Sequence, residues 1–236
     1  QLTSTTSQQD ITCFNGTDGE ATVIPAGGTG PYTYSWTKLP ATSAGNTATI
    51  TGLDFGTYVV VVTDDSSCVV NDTVTLANPA ALGLVLDKLD AECFGTATGV
   101  AWATVSGGTI PYTYAWSRGT NTPPNDDTTR ALLPGFVTVT VTDANSCSFS
   151  DSINIGQSSA ITTSTTQTDV SCFGGNDGAI DLSPTGATPP YTFAWSNSAT
   201  TEDITGVIAG AYTVTTTDDN GCTSTHNATV TEPAAL

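Results

Sequence analysis

Apolar and polar residues alternate with period two in short runs along the whole chain, and each run ends in a cluster of Gly, Pro, Asn or Asp. Successive side chains of a strand point to opposite faces, so this is the pattern of half-buried β-strands joined by tight turns. No stretch carries the 3.6-residue periodicity of an amphipathic helix. Between Pro31 and Trp36, one face holds Tyr32, Tyr34 and Trp36 and the other Thr33 and Ser35, which makes the aromatic face the core face. After Gly56, Tyr58, Val60 and Val62 line up in the same way, matched by Val137, Val139 and Val141 and by Tyr212, Val214 and Thr216.

These matches are part of an internal repeat of about 80 residues. Cys13, Cys93 and Cys172 each precede Phe. Pro31-Tyr-Thr-Tyr-Ser-Trp36 returns as Pro111-Tyr-Thr-Tyr-Ala-Trp116 and Pro190-Tyr-Thr-Phe-Ala-Trp195. Thr63-Asp-Asp-Ser-Ser-Cys68 returns as Thr142-Asp-Ala-Asn-Ser-Cys147 and Thr217-Asp-Asp-Asn-Gly-Cys222. Three copies are expected, spanning 1–80, 81–159 and 160–236. The closing Glu232-Pro-Ala-Ala-Leu236 mirrors Asn78-Pro-Ala-Ala-Leu82, so Leu236 reads as the first residue of a further copy in a longer array. Linkers such as Pro79-Ala80-Ala81 are too short to act as flexible tethers, and the copies are expected to form an extended, stiff rod.

About seven short strands per copy, with Trp36, Trp116 and Trp195 on a central strand and Tyr58 and Tyr212 at the start of a late one, predict an all-β fold of tandem immunoglobulin-like β-sandwiches with those residues in the core. The second copy has Val137 in place of the tyrosine, so it lacks the hydroxyl of a tyrosine corner.

Charge narrows the function. With 22 Asp and Glu against 4 Lys and Arg in 236 residues, the net charge is -18, and the cationic neutralisation that drives nucleic-acid binding is missing. No apolar run approaches the ~18 residues of a membrane helix. Apolar residues make up 38% of the chain and charged ones 11%, which is a core-forming rather than a disordered composition.

The six cysteines fall two per copy, roughly 50 to 55 residues apart. That regular spacing favours disulfides inside each copy, Cys13 with Cys68, Cys93 with Cys147 and Cys172 with Cys222, although bonds between adjacent copies also remain open. A loop of this size is worth about 4 kcal/mol in the chain-entropy model. Disulfides persist in oxidising compartments, which places the protein outside the cytoplasm. No CxxC or Cys/His cluster offers a tetrahedral metal site instead.

Catalytic chemistry finds little support, because His226 is the only imidazole and has no counterpart in the other copies. The acidic turns at Asp64-Asp65, Asp143 and Asp218-Asp219 are candidate calcium ligands. Asp also caps tight turns through its own backbone, and no EF-hand spacing is present, so the turn reading is preferred and no other cofactor is expected. Copy length varies almost entirely between the core Trp and the next apolar strand residue, and this variable loop holds Lys38, Arg118 and Arg130. A loop that varies in length and charge on a constant scaffold is a candidate binding surface. Trp102 faces outward from its strand and is a candidate stacking platform for a sugar ring, unless the 119–130 loop or a neighbouring copy covers it.

Taken together, Cys-Phe-x-Gly, Gly-Gly-Thr-x-Pro-Tyr-Thr-Tyr-x-Trp, Gly-x-Tyr-x-Val-x-x-Thr-Asp and the following Cys resemble the SprB repeats. These are tandem modules of the gliding-motility adhesins of Bacteroidota. The resemblance implies a non-enzymatic segment of a long cell-surface filament, exported across the outer membrane by the type IX secretion system. It implies further copies of the repeat, surface polysaccharide or substratum, and the gliding and secretion machinery as partners. It carries over no binding residue. Asp72-Thr73-Val74 and Asp151-Ser152-Ile153 resemble the short O-glycosylation acceptor of exported proteins in the same phylum. Two alternatives stand beside the adhesin reading: a glycan-binding module built on Trp102 and the loop cations, and a passive stalk for an enzyme elsewhere in a larger secreted protein.

Overall fold

The computed structural model describes residues 1–121 and 125–235. Part of the 119–130 loop, and Leu236 with its assignment to a further copy, lie outside the described residues. Among the described residues there are nineteen strands and no helix, hence no helix long and apolar enough to cross a membrane.

The first copy contains β1 (Thr3–Gln9), β2 (Gly19–Ala26), β3 (Thr33–Lys38), β4 (Thr42–Gly45), β5 (Thr49–Leu53), β6 (Gly56–Thr63) and β7 (Val69–Leu76). The second contains β8 (Gly83–Leu89), β9 (Gly99–Ser106), β10 (Thr113–Trp116), β11 (Thr128–Leu132), β12 (Gly135–Thr142) and β13 (Ser148–Ile155). The third contains β14 (Thr162–Thr168), β15 (Gly178–Thr185), β16 (Thr192–Trp195), β17 (Ile204–Val207), β18 (Gly210–Thr217) and β19 (Thr223–Val230). The chain forms two compact units. One comprises Gln1–Val85, Ala103–Ala115 and Val139–Asp151, and the other Leu86–Trp102, Trp116–Thr138 and Ser152–Leu236.

In the first copy β1-β2-β5 form one sheet and β4-β3-β6-β7 the other. Pairing is antiparallel throughout, with Ala21 opposite Ile50 in the first sheet and Trp36 opposite Val60 in the second. β2 and β6 alternate buried and less buried positions along their length, as a strand with one core face must. Ala21, Val23, Ile50 and Leu53 of one sheet share a single core cluster with Trp36, Tyr58, Val60, Val62, Val74 and Leu76 of the other, so the sheets close into a sandwich. The third copy repeats this with β14-β15-β17 and β16-β18-β19 around Ile180, Leu182, Trp195, Tyr212 and Val214. Its variable loop is short enough that no counterpart of β4 forms, and Trp195 N instead donates to Ala199 O at 3.0 Å. The second copy has the same two-sheet order, β8-β9-β11 and β10-β12-β13, and Trp116 packs partly buried against Ala101, Leu132, Val137 and Ile155.

Each core tryptophan anchors the loop that follows it. Trp36 Nε1 donates to Thr47 O at 2.9 Å, Trp116 Nε1 to Asp126 O at 3.2 Å and Trp195 Nε1 to Thr201 O at 2.9 Å. An indole N–H buried in an apolar core would otherwise lose its water partner, so the loop backbone is held wherever its length puts a carbonyl within reach. The tyrosine corner recurs twice. Tyr212 Oη donates to Ile208 O at 2.9 Å, and Tyr58 Oη donates to Asp54, whose carbonyl and carboxylate oxygens lie at 3.0 and 2.7 Å. Burial and the adjacent Asp54 carboxylate push the Tyr58 phenol well above its ordinary pKa, so it acts as a permanent donor. In the second copy, where Val137 supplies no hydroxyl, Arg118 donates to the carbonyls of Pro134 and Gly135 on the same corner. Tyr212→Phe is expected to lower unfolding free energy by about 1 kcal/mol, and Tyr58→Phe by somewhat more because Asp54 also loses a partner. Denaturant unfolding checks this, and an unchanged midpoint in both variants would contradict the corner's role.

Candidate functional site

Each copy carries two recurrent turns, and each turn holds a cysteine. The first turn precedes β2, β9 or β15. In the first copy Asp18 accepts from Thr12 N at 3.1 Å and from the Thr12 hydroxyl, and Gly16 N closes on Cys13 O at 2.9 Å. Around Cys172, Asp177 accepts from Ser171 N at 3.0 Å and Ser171 Oγ at 2.5 Å, and Gly175 N closes on Cys172 O at 3.0 Å. Around Cys93, Thr98 Oγ1 replaces the carboxylate and accepts from Glu92 N at 3.0 Å. The hydroxyls of Thr12 and Ser171 hold Asp18 and Asp177 below the usual carboxylate range.

The second turn lies between β6 and β7, β12 and β13, or β18 and β19, and is built on a buried aspartate. Asp64 Oδ1 accepts from Ser66 N at 2.9 Å and Cys68 N at 2.8 Å, while Oδ2 accepts from Thr29 N at 3.0 Å. Asp143 repeats this with Asn145 N, Cys147 N and Thr109 N, each at 2.9 Å. Asp218 does so with Cys222 N at 2.7 Å and Thr188 N at 3.2 Å. A left-handed residue closes each turn, Ser67, Ser146 or Gly221, with φ of 64°, 66° and 80°. These carboxylates are therefore occupied by backbone N–H donors, and Asp65 and Asp219 contribute their own N–H groups to Thr29 O and Thr188 O at 2.9 and 3.0 Å. Among the described residues no group of three or more His, Cys, Asp or Glu side chains is placed to hold a metal.

The two turns of the first copy sit at opposite ends of its sandwich. β2 starts beside the Cys13 turn, and Gly19 pairs with Leu53 at the end of β5, so β6 also starts at that end. Cys68 follows the far end of β6, where Thr29, beyond the far end of β2, bonds Asp64. Eight-residue strands separate the two ends by roughly 25 Å. A disulfide requires Cα atoms within about 7 Å, so Cys13 cannot reach Cys68. The same strand order separates Cys172 from Cys222 in the third copy.

The disulfides accordingly join different copies. Cys13 bonds Cys147 with Cα atoms 5.6 Å apart, and Cys93 bonds Cys222 with Cα atoms 5.5 Å apart, while Cys68 and Cys172 are exposed free thiols. This corrects the pairing expected within each copy, Cys13–Cys68, Cys93–Cys147 and Cys172–Cys222. Each bond lies inside one of the two compact units. Beside the first, Asn145 Nδ2 donates to Thr12 O at 3.3 Å. A cavity of about 530 Å³ opens there between Phe14, Phe149 and the linker Pro79, Ala80, Ala81 and Leu82. A smaller one of about 360 Å³, with Phe94 and Ile161 in its wall, adjoins Cys93–Cys222. The bonds close loops of 134 and 129 residues, worth about 5 kcal/mol each in the chain-entropy model.

Two of the variable-loop cations, Lys38 and Arg118, are engaged by partners within the protein, while Arg130 is exposed. Lys38 Nζ lies 2.5 Å from Asp54 Oδ2 and 5.8 Å from the centre of the Phe55 ring. That ion pair, together with the Tyr58 hydroxyl, holds Asp54 below the usual carboxylate range. Arg118 is spent on backbone carbonyls, and Arg130 faces Asp126 at 3.7 Å. Trp102 lies half-buried on the face of β9 opposite the buried Ala101 and Ala103, and pairs across the sheet with Thr128. His226 lies on β19 with Nε2 3.3 Å from Thr165 Oγ1. What the sequence reading missed is the partner choice of the cysteines. Its signal was the strand order between the two cysteines of a copy.

The family model described as SprB repeat matches residues 5–40, 87–121 and 164–200, each time from the first strand of a copy to just past its core tryptophan. The chain carries three SprB repeats. No curated protein matches the chain. Among solved structures, the three N-terminal domains of the Highly Immunogenic Outer Capsid protein of bacteriophage RB49 align over 99% of this chain and 100% of theirs, at 16% identity and a TM-score of 0.45. The N-terminal eight immunoglobulin domains of the Down Syndrome Cell Adhesion Molecule align over 98% of this chain and 36% of theirs, at 12% identity and 0.43. The ectodomain of mouse nectin-like molecule 4 aligns over 98% and 96%, at 13% identity and 0.36. The sandwich assignment rests on the strand pairings and the shared cores of the SprB repeats themselves.

Backbone N–H donors to Asp64 keep its carboxyl below its ordinary pKa of 3.8, so its contribution to stability is fully present above that value and is lost as pH falls through the lower folded-state value. Asp64→Asn is therefore expected to lower the melting temperature at pH 7, with the gap to wild type closing as the pH falls below the ordinary value of 3.8 and through the lower folded-state one. A gap that widens on acidification would contradict the anchoring role of the turn.

Proposed function

We propose that this chain is a non-enzymatic stretch of a long cell-surface adhesin, exported across the outer membrane and used in gliding motility and in attachment to surfaces or polysaccharide. The observation that supports it best is the joining of one SprB repeat to the next by disulfides as well as by the peptide chain. A module that works alone gains nothing from such bonds, whereas an array that transmits force along itself does. Disulfides also fit an oxidising location outside the cytoplasm.

In this reading attachment comes from many weak contacts summed along the filament, not from one strong site. The internal engagement of Lys38 and Arg118 supports it, because both are committed to partners within the protein and not free for an anionic ligand. The large negative charge keeps neighbouring filaments apart. In this reading the turns are held by the Asp64, Asp143 and Asp218 carboxylates accepting from backbone N–H groups.

The test is retention of beads coated with this three-repeat segment on polysaccharide films under flow. Retention is expected to rise by about two orders of magnitude between sparse and dense coating, while the free segment binds weakly and Trp102→Ala changes little. Tight saturable binding by the free segment, abolished in Trp102→Ala of unchanged melting temperature, would assign a glycan-binding module instead. No retention at any density would leave the segment a stalk and overturn the adhesin reading.

A further inference from the structure

We propose that Cys68 and Cys172 are the two open ends of a disulfide ladder. Cys172 forms with the second cysteine of a following repeat the bond that Cys13 forms with Cys147 and Cys93 with Cys222, and Cys68 forms it with the first cysteine of a preceding repeat. The partner is thus another copy of this same module, and each bond is incomplete without it. The inference rests on the tandem-array reading but not on what the array adheres to.

Three observations carry it. The rule that the first cysteine of one copy bonds the second cysteine of the next is obeyed at both places where the chain contains two successive copies. The two free thiols sit in turns built like the bonded ones. Cys68 N and Cys147 N donate to Asp64 and Asp143 at 2.8 and 2.9 Å, and Gly175 N and Gly16 N close on Cys172 O and Cys13 O at 3.0 and 2.9 Å. Finally, the copy-mates of the free cysteines, Cys13 and Cys222, are already bonded elsewhere, and both free thiols are exposed.

The chemistry is thiol–disulfide exchange. One thiolate attacks a disulfide oxidant, such as oxidised glutathione, and expels one reduced thiolate. The partner cysteine then attacks the mixed disulfide and expels the second. Two thiols lose two protons and two electrons, and one oxidant disulfide is reduced to two thiols. The ladder has a mechanical consequence. From Cys13 the shortest covalent path crosses to Cys147, runs along the chain only to Cys172, and crosses again to the next repeat. Most of each sandwich lies outside that path, so unfolding one would lengthen the filament little.

Mixing equal amounts of Cys68→Ser and Cys172→Ser chains in a glutathione redox buffer tests this directly, because each variant keeps one free thiol and both sites are exposed. The expected product is a covalent heterodimer joined Cys172 to Cys68, well above its statistical share relative to homodimers, while wild type forms a ladder of head-to-tail oligomers. Equilibration to the statistical mixture of dimers, an intrachain Cys68–Cys172 bond in wild type, or thiols that end only as glutathione adducts would each overturn the proposal. No carbohydrate enters the assay, so its outcome is independent of the adhesion test.

Discussion

Everything specific to this chain follows from a distance that a disulfide cannot span. In each SprB repeat that lies whole within one compact unit, the two cysteines are placed by the strand order at opposite ends of a sandwich whose long strands run eight residues. A bond between them would demand an approach of about 7 Å across roughly 25 Å of packed β-structure. Oxidation must therefore look to the neighbouring copy, where the complementary turn arrives at the right end. The same residues that would have stapled a small domain to itself instead staple successive domains together.

That outcome depends on how rigidly the turns are held. The aspartate at the head of the second turn replaces water with backbone N–H donors and fixes the cysteine backbone through one of them. The first turn achieves the same with Asp18, Thr98 or Asp177 bonding the residue just before the cysteine. Asp64, Asp143 and Asp218 each hold their turn in this way. The sandwich core, with its tryptophan indole and tyrosine corner, keeps the ends of the strands where these turns begin. Where the tyrosine is missing, Arg118 serves the same corner from just beyond the end of β10, so two of the variable-loop cations, Lys38 and Arg118, belong to the scaffold.

Much of this could be read in the residues. Period-two alternation gave strand faces, and Trp36, Tyr58 and Val60 lie where it puts them because burial of one face dictates the pattern. The family could be read too, since its motifs are the turn and core residues themselves. The disulfide partners could not, because spacing in sequence says how far apart two cysteines are along the chain and not at which end of a sandwich they emerge. The third copy shows why. β16 and β17 follow one another yet pair with different sheets and run the same way, so counting alternate strands misplaces Cys222 relative to Cys172. The roles of Lys38 and Arg118 were hidden for a similar reason, as their partners lie across the sheet about 16 residues later.

Successive copies are held together covalently by the two disulfides as well as by the peptide chain. The most direct test is proteolytic mapping of the unreduced chain by mass spectrometry, with free thiols alkylated beforehand. The account predicts linked peptides containing Cys13 with Cys147 and Cys93 with Cys222, and alkylated Cys68 and Cys172. Linked peptides containing Cys13 with Cys68 or Cys172 with Cys222 would contradict it.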